Sequence, residues 1–242
     1  MYHPFSIAET TKTAWNIFKK NFVTIIVYSV ISFFILSVLA FITTFIFSSA
    51  NFAETMISTF ILIFIQAYTT LGLYKLIFTV IDSEFYEFEF RQVLPAFTMI
   101  ISYLTIIFLI AFVITNLHFL MVRLDDYPTL QAVIQDMFAL VGLYLALRAM
   151  FFITFIVDDR SGAFESIRQS FQLTKGYFFK VLTMLCIILV LIALPAILSQ
   201  TYPVISVTII FTYPFVNIIL AVTYRKLVYS HQDVDDDIAE TN

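Results

Sequence analysis

Between residues 181 and 224 the chain carries no charged side chain. As one α-helix this run would be roughly 66 Å long at 1.5 Å per residue, about twice the hydrocarbon thickness of a bilayer. It therefore reads as two membrane spans. Pro195, Gln200, Tyr202 and Pro203 place the reversal near residues 199–203, because proline interrupts the helical ladder and polar groups reach water there. The charge-free runs 21–53 and 92–122 have the same meaning. Altogether the sequence predicts six spans, at about 22–47, 56–81, 96–121, 137–157, 181–198 and 204–224.

Composition closes off the alternative of a soluble fold. Hydrophobic residues make up 61% of the 242 and charged residues 12%, against roughly 45–50% and about 25% in soluble domains. Six spans leave only short connections, so the expected fold is an all-α polytopic bundle forming a single membrane domain. Residues 1–20 hold Glu9, Lys12, Lys19 and Lys20 and no apolar h-region, so the first span is expected to act as its own insertion signal.

Lysine and arginine set the expected orientation, since cytoplasmic loops are enriched in them. With the N-terminus inside, Lys12, Lys19, Lys20, Lys75, Arg91, Arg160, Arg168, Lys175, Lys180, Arg225 and Lys226 all fall in the cytoplasm. Arg123 alone lies outside, and Arg148 falls within the fourth span. Both termini are thus expected to be cytoplasmic, in a bacterial cytoplasmic membrane, with an acidic tail at 230–242.

Two stretches outside the spans have the periodicity of amphipathic helices. In residues 5–20 and the start of span one, Phe5, Ala8, Trp15, Phe18 and Phe22 share a face opposite Glu9, Thr13 and Lys20, and Ser6 with Glu9 has the spacing of a capping box. In residues 162–178, Phe164, Ile167, Phe171 and Phe178 share a face, with Glu165, Arg168, Gln169 and Gln172 largely away from it. Both are expected to lie in the headgroup layer with the apolar side toward lipid.

These helices match one another at an offset of 156 residues. Glu9, Lys12, Trp15, Ile17, Lys19 and Phe22 align with Glu165, Arg168, Phe171, Leu173, Lys175 and Phe178. Span two ends in Tyr74, Lys75, Leu76 and span six in Tyr224, Arg225, Lys226, Leu227. The pattern reads as a parallel internal repeat of amphipathic helix plus helical hairpin.

Little in the sequence suggests a reaction. The four glycines form no Walker loop and no dinucleotide fingerprint. His3, His118 and His231 are too scattered to converge on a metal, and Cys186 lies in an apolar run. No cofactor and no nucleic-acid partner are expected; the formal charge is -4, with much of it in DVDDDIAE at 233–240. The stretch DSEFYEFEFRQ at 82–92 reads as an interfacial turn with aromatic anchors. Arg148 is the best single functional candidate, because a charge within a span costs several kcal/mol, by order of magnitude, unless it pairs or reaches water. Its expected structural role is to reach the cytoplasmic face or to pair with Asp158 or Glu165.

Residues 157–182, VDDRSGAFESIRQSFQLTKGYFFKVL, together with the opening SIAETTKTAWNIFKKNF, resemble a broad bacterial family of uncharacterised six-helix membrane proteins related to the membrane domain of glycerophosphoryl diester phosphodiesterase. Asp158, Asp159, Ala163, Ser166 or Ser170, Leu173, Thr174, Lys175, Gly176 and Phe178 stand at the positions of that family's signature. The resemblance implies an integral membrane protein acting in envelope homeostasis, transport or self-immunity. The phosphodiesterase barrel is absent, so its activity does not transfer. Lys175 at the membrane boundary suits anionic headgroups, and Gly176 suits a turn into span five.

The sequence thus favours a non-enzymatic transport, lipid-handling or envelope-complex subunit, with membrane lipids and other envelope proteins as partners. An intramembrane enzyme acting on a lipid or isoprenoid, or a membrane immunity protein, is the alternative. The enzyme would have to draw on Arg148, Asp158, Asp159, Glu165 and Arg168, the only cluster of acids and bases on offer.

Overall fold

The computed structural model describes residues 6–47, 51–82 and 93–240, with side chains described to residue 229. The expectations placed on His3, Phe5, Arg91, the rest of 83–92 and the side chains of the acidic tail, His231 among them, lie outside the described residues. Every regular element among the described residues is helical. These are α1 (Ile7–Lys20), α2 (Phe22–Ile46), α3 (Phe52–Asp82), α4 (Phe97–Arg123), α5 (Pro128–Ala149), α6 (Phe152–Asp158), α7 (Ala163–Leu173), α8 (Phe178–Thr201) and α9 (Ile209–Glu240), with a 3-10 turn at Pro203–Thr208 before α9.

Six stretches are long and apolar enough to cross a bilayer, namely Phe22–Ile46, Phe52–Asp82, Phe97–Arg123, Pro128–Asp158, Phe178–Thr201 and Pro203–Tyr229. The chain is an all-α multi-pass membrane protein. Several spans begin earlier than expected. Asn51 accepts from the Ala53 N–H at 3.1 Å and so starts α3 ahead of residue 56. Pro128 occupies the first turn of α5, where its missing N–H is no loss, so the polar segment 123–131 is mostly helix and only a turn remains at 124–127. The reversal between α8 and α9 falls at Tyr202 and Pro203 as expected, whereas Pro195 lies inside α8 without ending it.

The fourth span breaks between Ala149 and Phe152. A broken ladder within a membrane protein needs partners for its backbone groups, and α7 supplies them through one hydroxyl. Ser170 Oγ donates to the Arg148 carbonyl at 2.7 Å and accepts from the Phe151 N–H at 3.1 Å. Ser170 and Phe151 are both 0% exposed.

The amphipathic helices form, but each stands against a span. Along α1 and α2, Glu9 meets Lys226 at 2.7 Å, the Trp15 and Phe18 rings meet Phe215 at 5.4 and 5.5 Å, and Phe22 meets Phe211 at 6.0 Å. As α1 advances α9 recedes, so the two run antiparallel and α1 extends the direction of α2. Correspondingly, α7 turns back along α6 and the end of α5. The faces they turn to protein are built largely from small and hydroxyl side chains. Thr10, Ala14 and Phe18 are covered in α1 and Ser166, Ser170 and Leu173 in α7, while Trp15 and Phe164 are exposed. Small and hydroxyl side chains let helices approach closely, so they face protein and the larger rings face outward.

These contacts concentrate the core at one end of the bundle, here called the polar end. It contains the second half of α3, from Ala67 to Phe78, and the stretch of α9 from Val216 to Leu227, with Leu104 and Ile106 of α4, Phe151 and Ile156 and the first turns of α8. At the opposite end α5 is exposed over nearly its whole length up to Ala146. Gly72 marks a close approach within the core, since a methyl there would collide with the Tyr28 hydroxyl.

Replacing Ser170 with Ala removes the partner of two buried backbone groups and is expected to cost about 1–3 kcal/mol. Thermal unfolding in detergent followed by circular dichroism should show a lowered Tm, and an unchanged Tm would mean the break is held by something else.

Candidate functional site

The polar end assembles its charged residues from three distant segments. Arg225 Nη2 lies 2.7 Å from Asp82 Oδ2 and 3.0 Å from Asp158 Oδ1, and its guanidinium sits 5.0 Å from the centre of the Phe78 ring. Tyr224 donates to Asp158 Oδ2 at 2.9 Å and packs edge-on against Phe155 and Phe78. One arginine thereby ties α3, α6 and α9 together. Spacing along the sequence gave no hint of this pairing, because Arg225 is separated from Asp82 by 143 residues and from Asp158 by 67. The signal was present only in kind: an acid at the end of each of two spans and an arginine at the end of a third.

Asp158 is thus paired with Arg225 and not, as expected, with Arg148. Asp159 is next to it and exposed, as are Glu165, Arg168, Lys175 and Gly176. Partial burial holds the Asp159 carboxyl above the usual carboxylate range, helped by the charges of Asp158 and Glu165 and opposed by Arg225. Gly176 adopts φ +88° in the turn from α7 to α8, a conformation that L side chains rarely adopt. Its expected role in turning the chain into span five fits this geometry.

Arg148 sits apart from the acids. Its guanidinium lies 5.4 Å from the Phe171 ring centre, and its Nε is buried without a hydrogen-bond partner among the described residues. One turn away on α5, Tyr144 contacts Phe178, the first residue of α8, at 6.2 Å. Arg148 is therefore near the elbow between α7 and α8, within the stretch Pro128–Asp158 as expected, whose last turns pack beside α7. Across this elbow Lys180 lies 5.8 Å from the Tyr177 ring centre.

A comparable elbow joins α1 and α2. Lys19 Nζ is 5.7 Å from the Trp15 ring centre. Trp15 in turn lines an open groove of about 410 Å³ with Phe18, Phe22, Leu191, Leu194, Pro195, Phe211 and Phe215. The groove is apolar throughout except for Thr212. A second, smaller cavity of about 170 Å³ lies between α2, α3 and α9 and is lined largely by hydroxyl and amide side chains. No group of three or more His, Cys, Asp or Glu residues is placed to hold a metal ion among the described residues.

Comparison with protein-family models, with curated proteins and with solved structures finds no match to this chain.

Because the folded-state pKa of Asp159 is raised, its carboxyl favours the folded state most fully below its unfolded pKa and loses that contribution as pH rises through the folded value. Asp159→Asn is accordingly expected to raise Tm at neutral pH and to flatten the decline of stability above the acidic range. Melts between about pH 4 and 8 test this; an identical pH profile in the variant would refute it. Arg225→Gln, which leaves Asp158 beside Asp159 without its cation, is expected to lower Tm more than Asp82→Asn, since Asp82 is the more exposed partner at 54% against 20% for Asp158.

Proposed function

We propose that this chain is a non-enzymatic lipid-handling protein of a bacterial cytoplasmic membrane, with both termini in the cytoplasm. The observation that carries the reading is the apolar groove beneath the first elbow, with Lys19 resting on its Trp15 wall. An anionic phospholipid fits both parts, with an acyl chain along Phe18, Phe22, Leu191, Leu194 and Phe211 and its phosphate beside the lysine. The second elbow offers the same elements in Phe171, Lys175, Phe178 and Arg148, whose guanidinium pairs with no carboxylate among the described residues.

An internal duplication supports treating the elbows as equivalent. Helices α1 and α7 open at Ile7 and Ala163, and α2 and α8 at Phe22 and Phe178; both intervals are 156 residues. The pairs Thr10 and Ser166, Ala14 and Ser170, and Ile25 and Val181 are all 0% exposed. Membership of the family related to the glycerophosphoryl diester phosphodiesterase membrane domain belongs to the same proposal, resting on the residues between 157 and 182. Other envelope proteins are the remaining class of partner.

The test is the lipid retained after purification in mild detergent, identified by mass spectrometry. Phosphatidylglycerol and cardiolipin are expected to be enriched over their share of the membrane. Removing one cation, in Lys19→Gln or Arg148→Gln, should weaken that enrichment about fivefold, the equivalent of ~1 kcal/mol per charge, with abundance and Tm unchanged. Enrichment that survives in the double variant would sink the reading.

A further inference from the structure

The cavity between α2, α3 and α9 differs in kind from the groove beneath the first elbow. Its lining includes Tyr28 and Ser32 from α2, Gln66, Thr69 and Thr70 from α3, and Tyr213 from α9, with no formal charge. Tyr28 donates to the Thr69 carbonyl at 2.9 Å, and the Thr70 and Tyr213 hydroxyls are 3.2 Å apart. These bonds fix the rings and leave their oxygens with further hydrogen-bonding capacity, since a hydroxyl both donates and accepts. Gln66 is exposed, and its side-chain amide has no partner among the described residues. An amide within a span is costly to leave unsatisfied in lipid.

The lining narrows what belongs there. Along α9 the cavity shares its level with the groove, Ile209 and Tyr213 lining the one and Phe211 and Thr212 the other. A phosphate in the cavity would be stripped of water with no cation in the lining to offset the cost. A single hydroxyl or carbonyl costs far less to bury and finds donors and acceptors on three helices. The cavity is not enclosed, for Ile209 in its lining is 42% exposed among the lipid-facing residues of α9. A ligand can therefore keep its apolar tail in the bilayer while its head enters sideways.

We propose that this cavity binds the uncharged head of a neutral amphiphile, a hydroxyl or carbonyl group on an apolar tail, entering laterally between α2 and α9. Gln66 supplies the amide that pairs with the head, and the Thr70–Tyr213 pair supplies the opposing hydroxyls. Gly72 sets the shape of the site by leaving room for Tyr28.

The proposal is tested with the full chain in nanodiscs and three photoactivatable probes bearing the same diazirine-labelled chain: a diacylglycerol, a long-chain isoprenoid alcohol and a phosphatidic acid. At least one neutral probe is expected to label residues within 28–36, 66–73 or 209–213, and which one does so identifies the amphiphile. Gln66→Leu, which removes no hydrogen bond of the fold, should reduce that labelling about fivefold, as expected for one hydrogen bond in an apolar site. Tyr213→Phe should reduce it further. Phosphatidic acid should label the α1–α2 elbow instead and be unaffected by Gln66→Leu. Neutral-probe labelling spread evenly over the lipid-facing helices, or unchanged in Gln66→Leu, overturns the proposal. Loss of phosphatidic acid labelling alone would instead count against the phospholipid site.

Discussion

Inside a bilayer there is no water to drive apolar surfaces together, so helices cohere where small side chains let their backbones approach and hydroxyls bridge them. In this chain those residues are gathered at one end. Thr10 and Ala14 press α1 on α9, Ser166 and Ser170 press α7 on α6, and Ala67 and Gly72 bring α3 close to its neighbours. Everything else about the polar end follows from that approach. The Arg225 pairs with Asp82 and Asp158 close only because three helix ends have already been brought within a few ångströms.

The six spans were legible because absence of charge over a bilayer's length admits few other readings. Orientation of the amphipathic faces was less legible. Periodicity identifies which residues share a face, but Trp15 and Phe164 are as apolar as Phe18, and only packing decides which of them meets protein. The expectation that the rings face lipid did not say that hydroxyl and small side chains such as Thr10, Ala14, Ser166 and Ser170 would meet protein. The break beside Arg148 was not legible either, since it depends on α7, whose serine binds the backbone at Arg148 itself. The partner of Asp158 needed three dimensions, since nothing local distinguishes Arg225 from the other arginines near span ends.

The two elbows set the proposed repeat against different neighbours. Ala14 faces α9, which runs on without a break from Ile209, and a methyl is all the contact requires. Its counterpart Ser170 faces a broken helix, where a hydroxyl is needed. One atom's difference between the two positions thus matches an intact span on one side and an interrupted one on the other.

The tie made by Arg225 has a mechanical meaning. Three rods pinned at one tip and loosely packed at the other behave as a splayed tripod: the far tips can separate without disturbing the pin. Thermal or lateral pressure in the bilayer then works mainly on the end away from the pin, where the neighbouring α4, α5 and α8 already turn their side chains outward. Changes in membrane thickness or tension would be taken up there as a change of spread, with the charged clasp staying fixed.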